Sequence, residues 1–379
     1  MSATIFEILE KVDHLGWANE KDFVLGDEEE VSSQVVSDQK NCSLYSLDLT
    51  KNLAWFVELP DGFDLSPSAF AFLDQHKEAR RVLRVPLDEL ETVAQQCPLP
   101  RHVIFVFSIG RCGSTLVSHV LNCCPKVWSL SEPIVFPRLI QQNFDVNQRL
   151  EYPREKLVKL IRACSRLLFR PPTASEHEVL AIKFHSQCLF HADLYREALP
   201  EASFVFPYRD AVGWTKSWYQ MAQKYGFAAQ LTGEAKTSVW NAVTAADDLA
   251  YLGPYVDLDA AALPLEDGIV IGWARNMEEY GRLLGEGVPF LALRYNELNR
   301  DREASLRHLF AHCGLPTEDV EGGLAAFDQD SQAGTMVSHA VEAEGMTEDQ
   351  VARALSLLAK HPRHGNPDHR LADIYSPGP

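Results

Sequence analysis

The sequence predicts an α/β protein with a mainly parallel central sheet between two layers of helices. From residue 101 onward, short β-rich runs alternate with longer amphipathic stretches, which is the pattern of strand–helix–strand units. The first strand leads through a loop of small residues into a helix, in the stretch VIFVFSIGRCGSTLVSHVL. The residues before 101 do not continue the alternation, so we expect them to add an N-terminal α+β extension to a three-layer αβα domain.

Five runs qualify as buried strands because they are apolar, rich in β-branched and aromatic residues, and too short for helices. They are HVIFVFS (102–108), KVWSL (126–130), VLAIKFH (179–185), SFVFPYR (203–209) and VPFLALRY (288–295). Helical patterns lie near 114–124, 151–169, 211–224, 270–285 and 302–313. A last helix, TEDQVARALSLLAKH, opens with a threonine cap and an acidic first turn. We therefore expect a five-stranded sheet.

The first hundred residues predict a mixed accessory layer. Strand-like pieces read CSLYSLDL and LAWFVEL, and a charged helical pattern surrounds FLDQHKEARRVL. Two prolines in CPLPRH separate this layer from the core. We therefore divide the chain into an accessory region at 1–100, which would shape the substrate site, and a main domain at 101–379 with an insertion at about 225–268.

Charge limits the classes of ligand. Net charge is −18, but residues 101–225 hold 16 Lys and Arg against 10 Asp and Glu. A basic middle in an acidic chain suits an anionic small ligand, although solvated helices such as REKLVKLIRACSRLLFR account for several of these charges. The overall acidity argues against non-specific binding of nucleic acid, which needs a basic surface.

Other features argue against membrane, secretory and metal roles. The longest apolar runs fall far short of the roughly 20 residues that a membrane-spanning helix needs. The N-terminus lacks a basic start followed by an apolar block, so we expect no secretory signal. The eight cysteines form no C-x-x-C pair, which favours reduced thiols in the cytoplasm. HPRHGNPDH (361–369) is a proline-rich loop without the spacing of a zinc site, so we expect no metal.

The loop SIGRCGST (108–115) predicts an anion site. Free N–H groups of a first helical turn and the positive end of the helix dipole favour a phosphate or sulfate, and Gly110 and Gly113 let the backbone approach it closely. Arg111 would add charge-assisted hydrogen bonds. The lysine of the nucleotide-triphosphatase pattern G-x-x-x-x-G-K-[ST] is absent. The alternative is a glycine-rich turn that only packs helix on strand.

A second cationic element follows the strand that ends in FPYRDAVGWTKSWYQ. Arg209 ends this strand, and Ser217 lies eight residues later, about two helical turns into the next element. Because ligands of open α/β sheets bind beyond the carboxyl ends of the strands, both residues could face the edge that carries the small-residue loop. Taken alone, an Arg-Asp pair at this place is more often an ion pair or a helix cap. Trp214 and Trp218 predict one buried helix face more readily than a stacking site for adenine.

Together these segments resemble the sulfotransferases that use 3'-phosphoadenosine 5'-phosphosulfate (PAPS). The resemblance covers about residues 101–316 and rests on FVFSIGRCGSTLVSHVLNCCPKVWSLSEP, AIKFHSQ, FVFPYRDAVGWTKSW and LALRYNELNRDREASLRHLFAHCGLP. It implies the P-loop, nucleotide-kinase-like sulfotransferase fold, PAPS as co-substrate, 3'-phosphoadenosine 5'-phosphate (PAP) as product, and no required metal. The arginine of the loop and the SEP turn are closer to the glycan, tyrosyl-protein and bacterial members than to the small cytosolic ones.

The resemblance also implies roles for individual residues. The 5'-phosphosulfate would lie in the loop formed by Gly110, Arg111, Cys112, Gly113, Ser114 and Thr115, with Cys112 in place of the more usual serine. Arg209 and Ser217 would clasp the 3'-phosphate. Ser331, Gln332 and Thr335, in DSQAGTMVSH (330–339), would contact the nucleotide from a closing loop. Tyr295 and Glu297, in RYNEL, match a packing and capping signature.

Two residues are candidates for the base that takes the proton of the acceptor. Glu132, in SLSEP, matches the catalytic glutamate of the glycan and tyrosyl-protein members, and His185, in IKFHSQ, matches the histidine of the small cytosolic members. We favour Glu132. Lys183 matches the lysine that neutralises charge on the bridging oxygen, and a charged group at the end of a buried strand requires an anionic partner. Otherwise Glu132 would cap a helix that begins near Pro133, and His185 would be a structural histidine.

Three functions stay open at this point. The favoured one is transfer of a sulfuryl group from PAPS to a hydroxyl or amine of a small-molecule acceptor. The alternatives are a phosphotransferase or nucleotide-binding protein that uses ATP and Mg²⁺, and a non-catalytic relative that binds PAPS or PAP. The missing loop lysine disfavours the first alternative, and Lys183 with Glu132 disfavours the second. Residues 1–100 hold 8 Lys and Arg against 19 Asp and Glu, which hints at a neutral or cationic acceptor; the sequence does not encode the oligomeric state.

Overall fold

Two five-stranded sheets organise the chain. The computed structural model describes residues 2–12, 18, 20–143, 152–172, 177–224, 255, 258–259, 262–335, 338, 342 and 344–372. Most of the predicted insertion at about 225–268 lies outside the described residues. Over the described ranges, no helix combines the length and the apolar character needed to cross a bilayer.

The first sheet is antiparallel, with its strands in the order β2-β1-β5-β4-β3. The strands are β1 (Ser2–Lys11), β2 (Phe23–Ser32), β3 (Cys42–Asp48), β4 (Leu53–Glu58) and β5 (Arg81–Pro86). The accompanying helices are α1 (Val35–Asp38), α2 (Ala71–Glu78) and α3 (Leu90–Gln95). The predicted strands CSLYSLDL and LAWFVEL are β3 and β4.

One prediction for this region is wrong in part. The helical pattern around FLDQHKEARRVL holds only to Glu78, where α2 ends. The remainder enters the sheet as β5, because its apolar residues Val82, Leu83 and Val85 are buried there and its backbone pairs with β1 on one side and β4 on the other. Pairing on both sides outweighs the weak helical propensity of a short charged segment.

The second sheet is parallel throughout, in the order β10-β9-β6-β8-β7. Its strands are β6 (His102–Val106), β7 (Val127–Ser131), β8 (Val179–Lys183), β9 (Ser203–Tyr208) and β10 (Phe290–Arg294). These are the five predicted strands, with ends that differ by at most two residues. The predicted α/β class is confirmed, and the first sheet is the N-terminal extension.

The predicted helices are present as well. They are α4 (Ser114–Asn122), α6 (Arg154–Leu168), α8 (Ala211–Lys224), α9 (Leu265–Gly285), α11 (Arg302–His312) and α13 (Glu348–Leu358). The described residues also form four helices that the sequence did not predict: α5 (Val135–Asn143), α7 (Ala192–Ala198), α10 (Tyr295–Arg300) and α12 (Val320–Leu324). The last helix begins after the predicted cap: Thr347 Oγ1 accepts from Gln350 N, and the Gln350 side chain accepts from Thr347 N.

Alternation along β6 separates the two faces of the parallel sheet. Ile104 and Val106 pack in one apolar cluster with residues of α4 and α11. Phe105 and Phe107 pack in the other cluster, with residues of α6, α7 and α9. Helices therefore cover both faces, as the three-layer prediction requires. The second cluster also contains the buried residues of the first sheet, so the two sheets share a core; the domain division at residue 100 stays a prediction.

Candidate functional site

The predicted anion-binding loop follows β6 and turns sharply into α4. Gly110, Arg111 and Gly113 all have φ in the left-handed region, at 67°, 51° and 81°. A Cβ at Gly113 would lie 2.6 Å from Tyr295 Cδ2, so this position favours glycine for space as well as for φ, and a Cβ at Gly110 would crowd Trp218 Cζ2 at 3.0 Å. Gly113 is the N-cap of α4. The first N–H groups of that helix have no intrahelical acceptor and are available to an anion.

Hydrogen bonds of two side chains, Cys112 and Trp214, hold the loop in place. The buried Cys112 thiol donates to the Pro207 carbonyl at 3.1 Å, and burial raises its pKa to about 11. The Trp214 Nε1–H donates to the carbonyls of Ile109 and Gly110 at 3.1 and 2.9 Å. Cys112 therefore ties the loop to β9 through its side chain and would meet a ligand only through its backbone. Trp214 lies in the helix–loop packing, as its spacing predicts.

Arg111 joins three distant parts of the chain. Its Nε donates to Ser217 Oγ at 3.1 Å, and its Nη1 donates to Gln332 Oε1 at 2.9 Å. Thr335 Oγ1 donates to the Gln332 carbonyl at 2.8 Å, and Ser331 lies in the same turn. The structure thus brings Ser217 to the loop after β6, as the predicted sheet topology allowed, and it brings the Gln332 turn there as well, which only the family resemblance suggested.

Arg209 lies next to that loop. Its guanidinium carbon is 4.7 Å from the centre of the Tyr295 ring, and the same ring contacts the position of Gly113. Arg209 Nε is a buried donor that makes no hydrogen bond within the described part of the chain. A buried, unpaired cationic donor is costly unless a ligand completes it. The two predicted anion sites are therefore neighbours, separated by one tyrosine ring.

The candidate bases and the lysine lie at the ends of β7 and β8. Lys183 Nζ and Glu132 Oε1 form a buried ion pair, with side chains 4% and 15% exposed. Glu132 N also donates to the Lys183 carbonyl at 2.7 Å. The anionic partner that the buried lysine requires is therefore Glu132 itself. Glu132 has a φ of 52°, a conformation that non-glycine residues seldom adopt.

His185 shares this environment. It is half-buried and precedes the 3-10 helix Ser186–His191. Desolvation lowers the pKa of the imidazole below 6.5, while Glu132 raises it and Lys183 lowers it further. The ring is therefore neutral at pH 7 and able to accept a proton. The geometry leaves both Glu132 and His185 as candidate bases.

Sequence reasoning missed two contributors to the site. Phe70, in the N-terminal extension, places its ring 6.0 Å from Lys183 Nζ, and no sequence pattern connects the two residues. Gly213, in α8, leaves room for Arg209, because a Cβ there would lie 2.5 Å from Arg209 Nε. A glycine inside an otherwise helical pattern was the available signal for the second.

Tyr295 was predicted as a packing residue, and its ring packs between Arg209 and the loop. Glu297 forms ion pairs with two arginines: its Oε1 lies 2.8 Å from Arg370 Nη1 and 3.8 Å from Arg294 Nη1.

The C-terminal segment 361–372 supports the ends of β9 and β10. The Pro367 carbonyl accepts from Ala211 N at 2.9 Å, two residues after Arg209. Asp368 pairs with the buried Arg294. The HPRHGNPDH stretch is the predicted loop, and its His361 and His364 rings both face Glu278, with Nε2 3.5 and 3.4 Å from Oε1. This segment therefore braces the turn that carries Arg209.

Comparison with known proteins gives matches in solved structures only. No family model matches the sequence, and no curated protein matches it. The sulfotransferase STF9 from Mycobacterium avium shares 15% identity over 70% of this chain and 78% of its own, with a TM-score of 0.34. The sulfotransferase domain of the Synechococcus PCC 7002 olefin synthase shares 15% identity over 69% of this chain and 95% of its own, with a TM-score of 0.37. Mouse sulfotransferase SULT7A1, complexed with PAP, shares 11% identity over 74% of this chain and 92% of its own, with a TM-score of 0.36.

All of these solved structures are sulfotransferases. TM-scores this low do not support an assignment by themselves, so the function has to be argued from the residues of the site.

Proposed function

We propose that the protein is a sulfotransferase that moves a sulfuryl group from PAPS to a hydroxyl or amine of a small-molecule acceptor. The observation that carries the proposal is the position of the Tyr295 ring, which contacts both the loop at Gly113 and the Arg209 guanidinium. Two anion-binding elements as close as this suit a ligand with two anionic groups on one small scaffold. PAPS is such a ligand, with a phosphosulfate at the 5' position and a phosphate at the 3' position.

The residues present fit this nucleotide. The free N–H groups at the start of α4 and the Arg111 guanidinium would hold the 5' end. Arg209, whose buried Nε lacks an acceptor among the described residues, would hold the 3'-phosphate together with Ser217. The tight packing around Gly110 and Gly113 gives the cradle its shape. Gln332 would approach the same end through its contact with Arg111.

The transfer requires a base and a cation, and the site supplies both. The acceptor oxygen attacks sulfur, the bond from sulfur to the bridging phosphate oxygen breaks, and PAP leaves with the bonding electron pair. The acceptor proton passes to the Glu132 carboxylate, or to the neutral His185 ring if that is the base. Lys183 would stabilise the charge that develops on the bridging oxygen. Lys183 and Glu132 form an ion pair at the ends of β7 and β8, so the cation and the base would both lie beside the transferring group.

Calorimetry distinguishes this proposal from the two alternatives. We expect the protein to bind PAP tightly, and to bind ATP with Mg²⁺ far more weakly. We also expect Arg209→Ala to weaken PAP binding, while Arg307→Ala, which removes an exposed arginine paired with Glu303 on α11, leaves it unchanged. Tight binding of ATP with Mg²⁺ and none of PAP would refute the proposal in favour of a phosphotransferase.

A transfer assay separates the enzyme from a non-catalytic relative. Labelled PAPS would be offered with a panel of alcohols, phenols and amines and with cell extract. Label transfer to an acceptor is the expected result. PAP binding without transfer to any acceptor would instead favour a protein that only binds the nucleotide.

A further inference from the structure

Part of the N-terminal extension is fixed against the candidate base. The Ser131 hydroxyl, one residue before Glu132, donates to the Ala69 carbonyl at 2.7 Å. Further back, Trp128 Nε1 donates to Asp64 Oδ1 at 2.9 Å, and Asn122 Nδ2 donates to Ser66 Oγ at 3.0 Å. Residues 64–69 are thus bound along β7 and the end of α4. The next residue, Phe70, is held at the edge where Glu132 and Lys183 meet.

The group that the extension brings to the ion pair is the apolar Phe70 ring, and Phe72 and Leu73 continue the apolar run along the chain. The half-buried Phe70 ring lies 6.0 Å from Lys183 Nζ, with its face toward the ammonium, a geometry of cation–π contact. The Phe72 ring follows at 6.4 Å between centroids, and Leu73 is 40% exposed. Neither phenyl ring nor the leucine can form a conventional hydrogen bond to an acceptor.

We propose that Phe70 is a specificity-determining residue that forms the acceptor-side wall of the transfer site, and that the acceptor carries its hydroxyl on an aromatic or other apolar body. This inference rests on the proposed sulfotransferase function. The acceptor oxygen has to reach the Glu132–Lys183 pair, so the group attached to that oxygen lies against the ring beside the pair. An apolar group gains by that burial, whereas a sugar would lose hydration without hydrogen bonds in return.

Phe70→Ala and Phe63→Ala form the test pair. Both remove a half-buried phenyl ring from the N-terminal extension, but the Phe70 ring is the one beside Lys183. The probes are 2-naphthol and glucose, assayed with labelled PAPS, and PAP affinity is measured by calorimetry on the same samples. Phe70→Leu, which keeps apolar volume, serves as a second variant if Phe70→Ala folds poorly.

We expect the unmodified protein to prefer 2-naphthol to glucose. Phe70→Ala should lower kcat/KM for 2-naphthol by about tenfold, as loss of an aromatic contact and its buried area predicts, with PAP affinity unchanged. Phe70→Leu should be intermediate, and Phe63→Ala should match the unmodified protein.

Three results would overturn the inference: glucose used as well as 2-naphthol, an unchanged rate in Phe70→Ala, or PAP binding without transfer to 2-naphthol. Failure of the unmodified protein to bind PAP would instead remove the proposed function on which the inference rests.

Discussion

Gly213→Ala should weaken nucleotide binding without weakening the fold. An ideal Cβ at this position lies 2.5 Å from Arg209 Nε and 2.9 Å from Asp210 Oδ2, closer than atoms approach, so the guanidinium must move from its place over Tyr295. Hydrogen bonds to charged groups contribute about 1.5–3 kcal/mol, so losing that of Arg209 to a phosphate should weaken PAP binding by about 10- to 150-fold. Calorimetric titration with PAP measures the effect.

The stability of the fold should change little in Gly213→Ala. Alanine is favoured over glycine in a helix by up to about 1 kcal/mol, and this gain offsets the weakened cap hydrogen bond from Gly213 N to Asp210 Oδ1, so thermal unfolding should change little. Gly281→Ala in α9 is the matched control, because its added Cβ meets nothing within 4 Å. That variant should gain the same helical propensity and bind PAP normally. If Gly213→Ala bound PAP as tightly as the unmodified protein, Arg209 would not be the clasp proposed above.

The remaining predictions concern the base, the buried histidines and the thiols. Glu132→Gln should abolish transfer and spare PAP affinity; activity retained there but lost in His185→Ala would move the base to His185. Burial lowers the pKa of His364 to about 3 and that of His191 to about 4, so the unfolded chain takes up protons first as pH falls.

The contribution of these two neutral rings to the free energy of unfolding is therefore complete above pH 6.5. In urea titrations between pH 6 and 4 it should fall by up to about 1.4 kcal/mol per pH unit for each histidine. His364→Gln should reduce this pH dependence, and an unchanged dependence would contradict the lowered pKa of His364. Of the eight cysteines only Cys123 is exposed, so a thiol reagent should label one site in the native protein and eight in urea; several fast-reacting thiols would contradict the described burial.

The parallel sheet is readable from the sequence because its strands are buried on both faces. The segments VLAI and VIFV of these strands are apolar throughout, and little else in an α/β chain produces that pattern. The antiparallel sheet is harder to read. Strand β2 is an edge strand whose segment DEEE is exposed, and β5 is a short apolar run soon after a charged helix. Pairing with β1 decides the conformation of both strands, and the sequence of β5 alone does not report a partner more than 70 residues away.

Some contacts in the site can be predicted from the sequence, and others cannot. Loops after parallel strands must meet at one edge, so the approach of Arg111, Ser217 and Glu132 to that edge follows from the topology. The hydrogen bond from Arg111 to Gln332 and the ring of Phe70 beside Lys183 depend on how two outer segments fold back onto the edge. No periodicity or spacing in the sequence indicates that these two segments fold back, so their contacts can be identified only in the folded structure.

Backbone strain gives independent support for the two residues at the centre of the proposal. Within the described ranges, three non-glycine residues have positive φ: Asn52, Arg111 and Glu132. Asparagine tolerates this conformation in turns, but arginine and glutamate pay a steric penalty that glycine at the same place would avoid. Glu132 directly follows β7 and Arg111 lies in the loop after β6, so both carry a charged group at the carboxyl ends of the parallel strands. A strained backbone at both places is explained if the charged side chain is required where the chain turns. A purely structural turn would gain stability from glycine, so the positive φ of Arg111 and Glu132 supports the roles proposed for them.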